Sequence, residues 1–120
     1  MKPYQDARVE GEKLAKQYAE LEKADQVDFF NGSEDYYSVL GHNKKQEAIA
    51  VLIEKNDHKI YIYQLDKGIS QDKAATISRE KGASDIDKIT FGRYQDKPIW
   101  EVKSGNHYYL VDFETGAVIQ

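Results

Sequence analysis

The side chains best suited to chemistry in this sequence are three histidines, His42, His58 and His107, in a chain of 120 residues without cysteine. Helical metal motifs place ligands at spacings such as i and i+4, and no two of these histidines stand at that spacing. Each lies at an expected strand end or turn, so an exposed or structural role is favoured. The lack of cysteine excludes disulfides, zinc-thiolate sites and thiol nucleophiles. We therefore expect no metal ion and no cofactor.

Two pairs of nearby carboxylates are the next candidates for catalysis, Asp85 with Asp87 and Glu34 with Asp35. A general acid needs a carboxyl group whose pKa is raised, and both pairs lie in polar segments that are expected to be solvated loops. The sequence also has no Gly-x-Ser-x-Gly nucleophile elbow and no glycine-rich phosphate loop. These observations predict that the protein is not an enzyme.

Aromatic side chains make up 12 % of the sequence and are concentrated in segments with strand character. Residues 48–53 and 108–111 are apolar at every position instead of alternating, so both faces of their sheets should be covered. Either the second face packs against the other half of the chain, or part of it is an aromatic surface for a protein partner, where Tyr and Trp supply much of the binding energy. The candidate partner-binding residues are Tyr61, Tyr63, Trp100 and Tyr108.

The charge balance limits the kinds of partner. Lys and Arg number 17 against 21 Asp and Glu, which gives a net charge of −4 with both signs interspersed. Nucleic acid binding needs a basic stripe, and the sequence has none. The longest apolar run, residues 48–53, is far shorter than the ~20 residues that cross a bilayer. Residues 1–3 lead directly into a charged helical pattern, so we expect neither a membrane span nor a signal peptide within these residues.

Apolar spacing predicts a long amphipathic helix over about residues 5–24. Ala7, Gly11, Leu14, Tyr18 and Leu21 recur at intervals of four and three and share one face. Charged residues occupy the opposite face. This helix should lie on an apolar surface.

A second, shorter helix is predicted between Ser70 and Gly82. Ser70 can cap the first turn, and the negative charge of Asp72 is favourable at a helix N-terminus. Ala74 and Ile77 are expected to face inward. Gly82 can end the helix in the left-handed conformation.

The remaining segments are rich in Val, Ile, Tyr, Phe and Trp, which predicts strands. Short turn sequences between them favour antiparallel hairpins, and Asn31-Gly32-Ser33 is interpreted as a turn between the first helix and the first sheet. The same three residues match a glycosylation sequon, which we consider the weaker interpretation. The predicted strands are residues 35–42, 47–55, 59–65, 87–94, 99–103 and 107–113.

An internal repeat is visible in the strand segments. Residues 60–69 (IYIYQLDKGI) align without a gap on residues 108–117 (YYLVDFETGA), with an acid and a turn glycine in register. Two strand-rich segments can also align by chance, but duplication explains the order of the matches better. The upstream matches pair residues 48–52 with 98–102 and residues 39–41 with 90–92.

These patterns predict an α+β protein of two units, residues 1–68 and 69–120. Each unit is a helix packed on an antiparallel sheet of three or four strands. About 60 residues is marginal for a domain that folds alone. We therefore expect the two units to share an interface and to unfold together.

The second unit resembles a PepSY domain. The resemblance rests on residues 74–77, residues 99–102 and residues 108–119, and above all on the ending from Val111-Asp112 to Thr115-Gly116 followed by apolar residues. The whole chain resembles the YpmB/TseB-like proteins of Gram-positive bacteria, which carry two PepSY-like, cystatin-like units behind one transmembrane anchor. Such an anchor is missing here, so the resemblance predicts a longer natural protein.

The resemblance implies a membrane-anchored protein on the extracytoplasmic face of the cell membrane, which regulates cell wall elongation through a penicillin-binding protein without catalysis of its own. The alternative is a peptidase inhibitor of the general PepSY type, which could place an exposed strand or loop in a peptidase cleft. The family supplies no catalytic residues. Asp112 and Gly116 match its ending and are interpreted as turn-formers, through an Asx-type hydrogen bond and a positive φ.

Overall fold

The structure, a computed structural model, describes residues 3–119, with side chains from Val9 to Ile119. The chain divides into two compact units, unit 1 (Met1–Gln64) and unit 2 (Leu65–Gln120). Each unit combines an α-helix with an antiparallel sheet, which confirms the predicted α+β class. The elements in chain order are α1 (Pro3–Tyr18), β1 (Leu21–Asn31), β2 (Asp35–Asn43), β3 (Ala48–Glu54), β4 (Ile60–Gln64), a 3-10 turn (Leu65–Lys67), α2 (Gln71–Glu80), β5 (Lys88–Tyr94), β6 (Lys97–Ser104) and β7 (His107–Asp112).

The six predicted strands correspond to β2 through β7, with boundaries that agree to within two residues. The sheet of unit 1 has the order β1-β2-β3-β4. Val39 of β2 pairs with Val27 of β1 and with Val51 of β3, and Val51 pairs in turn with Ile62 of β4. Cross-strand partners point to the same side of a sheet, so these four residues share the face on which α1 packs.

The first helix is shorter than predicted, because it ends at Tyr18 instead of near residue 24. Glu20 takes a φ of +54°, which stops the helix, and the chain then continues as β1. The prediction that Leu21 belongs to the helix is therefore wrong. Asn31, predicted to begin a turn between helix and sheet, instead ends β1 in a hairpin with β2, where it pairs with Asp35.

Small and aliphatic side chains connect α1 to its sheet. Gly11 lies so close to Tyr37 that a Cβ on it would be 3.1 Å from the Tyr37 Cβ. Tyr18, which the spacing predicts on this face, is 59 % exposed, and the side chain of Ala7 lies outside the described ones. The buried core under α1 consists of Leu14, Ala15, Ala19, Leu21, Tyr37, Val39, Ile49, Val51 and Ile53.

The sheet of unit 2 has the order β5-β6-β7. Phe91, Trp100 and Val111 are successive cross-strand partners, so they share one face. Beyond β7 the chain folds back along the outer edge of the sheet, where Val118 bridges Val111 and the Ile119 amide donates to the Leu110 carbonyl at 2.7 Å. Residues 117–119 thus cover part of the β7 edge.

The second helix agrees with its prediction. Ser70 is the N-cap, and its hydroxyl accepts a hydrogen bond from the Lys73 amide at 3.0 Å. Ala74 is fully buried, Ile77 is half-buried, and Gly82 follows the helix with a φ of +116°. Within the described residues, no helix has the length and apolar character needed to cross a membrane.

The turn after β7 also has the predicted geometry. The Asp112 carboxylate Oδ1 accepts hydrogen bonds from the amides of Glu114 at 2.8 Å and Thr115 at 3.1 Å. Gly116 has a φ of +83°, a conformation that L-residues adopt with strain. Both residues act as turn-formers.

Candidate partner-binding surfaces

Trp100 lies in the core of unit 2 instead of on its surface. Its side chain is 2 % exposed, and its ring centroid is 4.9 Å from that of Phe91 and 6.3 Å from that of Phe113. The indole Nε1 donates a hydrogen bond to the carbonyl of Ile69, two residues before α2, at 3.0 Å. The expectation that Trp100 forms part of an exposed aromatic surface is wrong, because its position in β6 turns the ring into this aromatic core.

Tyr108 is the most exposed of the four predicted residues, with 51 % of its surface accessible. It lies near the start of β7, opposite Lys103 of β6. The neighbouring rings of His107 and Tyr109 are 5.4 Å apart. A shallow cleft of about 380 Å³ opens beside them, lined by Lys81, Asn106, His107, Tyr108, Tyr109 and Val118.

This cleft offers aromatic edges, one amide and one ammonium group. Aromatic side chains supply a large contact area with little conformational entropy to lose, and a lysine beside them favours an acidic or π-rich neighbour. The groups are suited to holding an apolar or aromatic side chain of a partner. None of these lining groups is arranged as a nucleophile with its base.

Tyr61 and Tyr63 stand two positions apart in β4 and therefore share the face opposite α1. Both are half-buried. The ring of Tyr61 meets Tyr36 edge-to-face at 6.3 Å, and Tyr36 lies 6.3 Å from Phe30. The structure thus places Tyr61 at the end of an aromatic row in unit 1, with Tyr63 two positions farther along β4, whereas Trp100 and Tyr108 belong to unit 2.

A further aromatic group, which the sequence prediction missed, lies on the α1 side of the same sheet. Phe29 and Tyr37 are cross-strand partners whose rings stack at 5.3 Å, and the Lys55 ammonium lies 5.0 Å from the Phe29 ring centroid. Burial, and then the negative charge of Glu10, raise the pKa of the Tyr37 hydroxyl. Apolar residues 27, 29 and 30 directly before the Asn31-Gly32 turn were the signal that could have revealed this strand.

The three histidines have the exposed or structural surroundings expected of them. The Nδ1 atom of His42 lies 2.9 Å from Oδ2 of Asp25, which joins β2 to β1. His58 is an exposed turn residue with a φ of +56°. His107 lies in the cleft wall described above.

Two carboxyl groups outside the pairs that the sequence singled out, Glu54 and Glu101, have raised pKa values. Burial raises the pKa of Glu54, and a hydrogen bond from its side chain to Asp57 raises it further, as do the charges of Asp57 and Glu34. Glu54 ends β3, so the turns at this end of unit 1 bring the three carboxyl groups together. A raised pKa is common in catalytic acids, but here burial, together with the crowding of like charges, is a sufficient cause.

Glu101 is the second carboxyl group with a raised pKa. It lies in the middle of β6, where burial raises the pKa and the nearby charge of Lys88 lowers it in part. Of the predicted pairs, Asp87 is held as a structural acceptor, since its Oδ2 accepts the Gly105 amide at 2.8 Å. Among residues 3–119, no cluster of three or more His, Asp or Glu side chains could hold a metal ion.

Comparison with known proteins places the chain in a family. A family described as "Cell wall elongation regulator TseB-like domain" matches residues 10–54. The chain is 35 % identical over 113 residues to "Probable cell wall elongation regulator TseB" of Bacillus subtilis (strain 168). This match covers 88 % of this chain and 70 % of that protein. The chain belongs to the TseB/YpmB family.

The fold leads to the same family. "YpmB protein from Bacillus subtilis" superposes with a TM-score of 0.79 at 33 % identity, over 93 % of both chains. The TseB-like match of residues 10–54 lies within unit 1, whereas the motifs by which the sequence resembles PepSY domains lie in unit 2. The predicted membership of the TseB/YpmB family, which rested on the whole chain, is confirmed.

Proposed function

We propose that this chain is a non-enzymatic interaction module that regulates cell wall elongation by binding a protein partner, a penicillin-binding protein of the elongation machinery. The observation that carries the proposal is the 35 % identity to a protein named as a cell wall elongation regulator. A regulator of this kind acts by contact, so its function resides in a surface.

The proposed architecture is a pair of PepSY-like, cystatin-like units, residues 1–68 and 69–120, derived from one duplicated plan. In support, each unit begins with a helix and continues as an antiparallel meander of strands that follow one another in space. The proposed location is the extracytoplasmic face of the cell membrane of a Gram-positive bacterium, held by an anchor outside these residues.

The proposed partner-binding surface centres on Tyr108 and the cleft beside it. Exposed aromatic side chains carry much of the binding energy in protein interfaces, and Tyr108 combines 51 % exposure with neighbouring aromatic and cationic groups. Tyr61 and Tyr63 remain candidates in unit 1. Trp100 is left out because it is buried.

The test is an equilibrium titration of this chain with the extracytoplasmic region of an elongation-type penicillin-binding protein from the same bacterium. An unrelated acidic domain of similar size serves as control, because the chain has a net charge of −4. We expect a Kd of about 10 μM or tighter, ~7 kcal/mol. A weaker contact should appear when both proteins are tethered to one vesicle, since a shared membrane raises their effective concentration.

Failure to bind in solution at about 1 mM and on the vesicle would contradict the proposal. A parallel assay measures cleavage of a peptide substrate by extracytoplasmic peptidases of the same bacterium. Substrate-competitive inhibition there, without binding to the penicillin-binding protein, would favour the peptidase-inhibitor alternative.

A further inference from the structure

Edge strands of the two sheets differ in how they are protected against pairing with other chains. Natural proteins protect such edges with bulges, charges, prolines or covering segments. The edge strand β1 has register shifts after Leu21 and after Ala24, β5 carries Lys88 and Arg93, and β7 is covered in part by residues 117–119. The fourth edge, β4, has no bulge, charge or proline.

The β4 segment is regular and uncharged. Its five residues read Ile-Tyr-Ile-Tyr-Gln, and each pairs with β3 in an unbroken register. Ile62, at its centre, is 50 % exposed. No strand within residues 3–119 pairs with the outer side of β4. It is therefore an apolar edge with high strand propensity.

The hydrogen bonds of the β3–β4 hairpin determine which main-chain groups point outward. The Glu54 amide donates to the Lys59 carbonyl at 2.8 Å, so Glu54 and Lys59 form a hydrogen-bonded pair. Hydrogen-bonded and non-hydrogen-bonded pairs alternate along antiparallel strands. Ile60, Ile62 and Gln64 therefore direct their N–H and C=O groups away from β3, toward the open edge.

These three outward residues are complementary to a second copy of themselves. If two β4 strands run antiparallel about Ile62, then Ile60 faces Gln64 of the other copy and Ile62 faces Ile62, with hydrogen bonds exchanged at every pair. On the other face Tyr61 comes opposite Tyr63. Neither face brings like charges together, and the Ile62 side chains lose solvent exposure against each other.

We propose that β4 pairs with β4 of a second copy of this chain, antiparallel and centred on Ile62, so that the sheets of two unit 1 copies join in a weak homodimer. The interface is isologous, as expected for a twofold dimer. Five residues of strand bury less area than the ~1,200 Å² of a stable interface, so we expect a Kd of about 0.1 to 1 mM. The inference does not depend on the proposed regulatory function.

The test is sedimentation equilibrium of the chain from about 10 μM to 2 mM, a range that brackets the expected Kd. Ile62→Lys places two ammonium groups opposite each other at the twofold axis and should raise the Kd at least about tenfold. Val9→Lys is the matched control, because Val9 is also an exposed apolar residue, at 67 %, but lies on α1. It should leave the Kd unchanged.

Opposite charges supply a positive test of the register. Ile62→Glu alone should weaken the dimer as Ile62→Lys does, whereas an equimolar mixture of the two variants should associate as a heterodimer. Amide hydrogen exchange of the unmodified chain should slow at Ile60, Ile62 and Gln64 as the concentration rises.

A chain that remains monomeric at about 2 mM, well above the expected Kd, would overturn the proposal. So would a dimer that Ile62→Lys leaves intact, or a mixture of the Lys and Glu variants that fails to associate. Protection of these amides only after addition of the penicillin-binding protein region would also overturn it, and would identify β4 as a site for a segment of that partner instead.

Discussion

Unit 1 covers its sheet with a helix of 16 residues and unit 2 with a helix of 10, and their cores differ accordingly. Under α1 the sheet presents aliphatic side chains such as Val39 and Val51. In unit 2, by contrast, Phe91, Trp100 and Phe113 are packed edge-to-face. The stability of unit 2 should therefore depend on a few large core residues, and the stability of unit 1 on a larger number of smaller ones.

Residues that the internal repeat aligns do not point to equivalent faces of the two sheets. Ile60 packs against the core under α1, whereas Tyr108, its match in the ungapped alignment, is 51 % exposed. A strand has a period of two, so a shift of one residue exchanges its faces. Moving the two strand matches by one position each, in opposite directions, aligns Ile62 with Val111 and Val51 with Trp100. Val51 with Ile62, and Trp100 with Val111, are then equivalent cross-strand pairs on the helix side of their sheets. A duplicated plan therefore requires this shifted register.

The largest effect should come from removing the centre of the aromatic core. Trp100→Ala deletes a side chain that is 2 % exposed and leaves a cavity between Phe91 and Phe113, at an expected cost of ~3 to 5 kcal/mol. Urea unfolding followed by far-ultraviolet circular dichroism measures the loss. Tyr108→Ala, an exposed aromatic of the same unit, should change stability by less than ~0.5 kcal/mol. Equal losses for the two variants would contradict the contrast between core and surface.

An intermediate effect should follow from separating β1 from the sheet of unit 1. A Cβ at Gly41 would overlap the Lys23 carbonyl oxygen and approach the Leu21 side chain to 2.8 Å. Gly41→Ala should therefore destabilise the protein by ~1 to 3 kcal/mol. Amide exchange should accelerate most in β1, and Ser33→Ala in the exposed β1–β2 turn provides the control. An acceleration that is larger in α2 than in β1 would contradict the assignment of the effect to β1.

The smallest effect should be a pH-dependent one at the crowded end of unit 1. The pKa of Glu54 is raised in the folded protein by burial and by Asp57 and Glu34, so folding favours its protonated form. Its contribution to stability is present below the ordinary carboxyl pKa and is lost as the pH rises through the raised value. Glu54→Gln should therefore raise the melting temperature at pH 7 and leave it unchanged near pH 3.

The control for this variant is Glu114→Gln, which makes the same charge change at an exposed position of unit 2. It should produce little difference between the two pH values. A Glu54→Gln variant that melts lower than the unmodified chain at pH 7 would contradict the assigned direction of the pKa shift.

Local chemistry made most of the fold predictable. Ser70, Gly82, Asp112 and Gly116 act through their nearest neighbours, and the structure confirms each of them. Strand β1 was missed because Leu21 continues the helical spacing of Leu14 and because its charged residues hide the strand alternation. The helix ends because Glu20 has a positive φ. This conformation is uncommon for glutamate, so the sequence does not predict it.

The site was less predictable than the fold. Strand periodicity places Trp100 on one face and Glu101 on the other, but it does not say which face the helix covers. The proximity of Glu34, Glu54 and Asp57 depends on two turns that meet at one end of the sheet, and this arises only when the strands are in register. The exposure of Tyr108 likewise depends on which face of β7 is covered in the folded unit, and strand periodicity alone does not give this.

The most direct test of the proposed partner surface is the affinity of Tyr108→Ala for the extracytoplasmic region of the penicillin-binding protein, measured by calorimetry beside the unmodified chain. We predict a loss of at least about tenfold, ~1.4 kcal/mol, with a melting temperature unchanged within about 2 °C. An unchanged affinity in a folded Tyr108→Ala variant would contradict the assignment of partner binding to this surface.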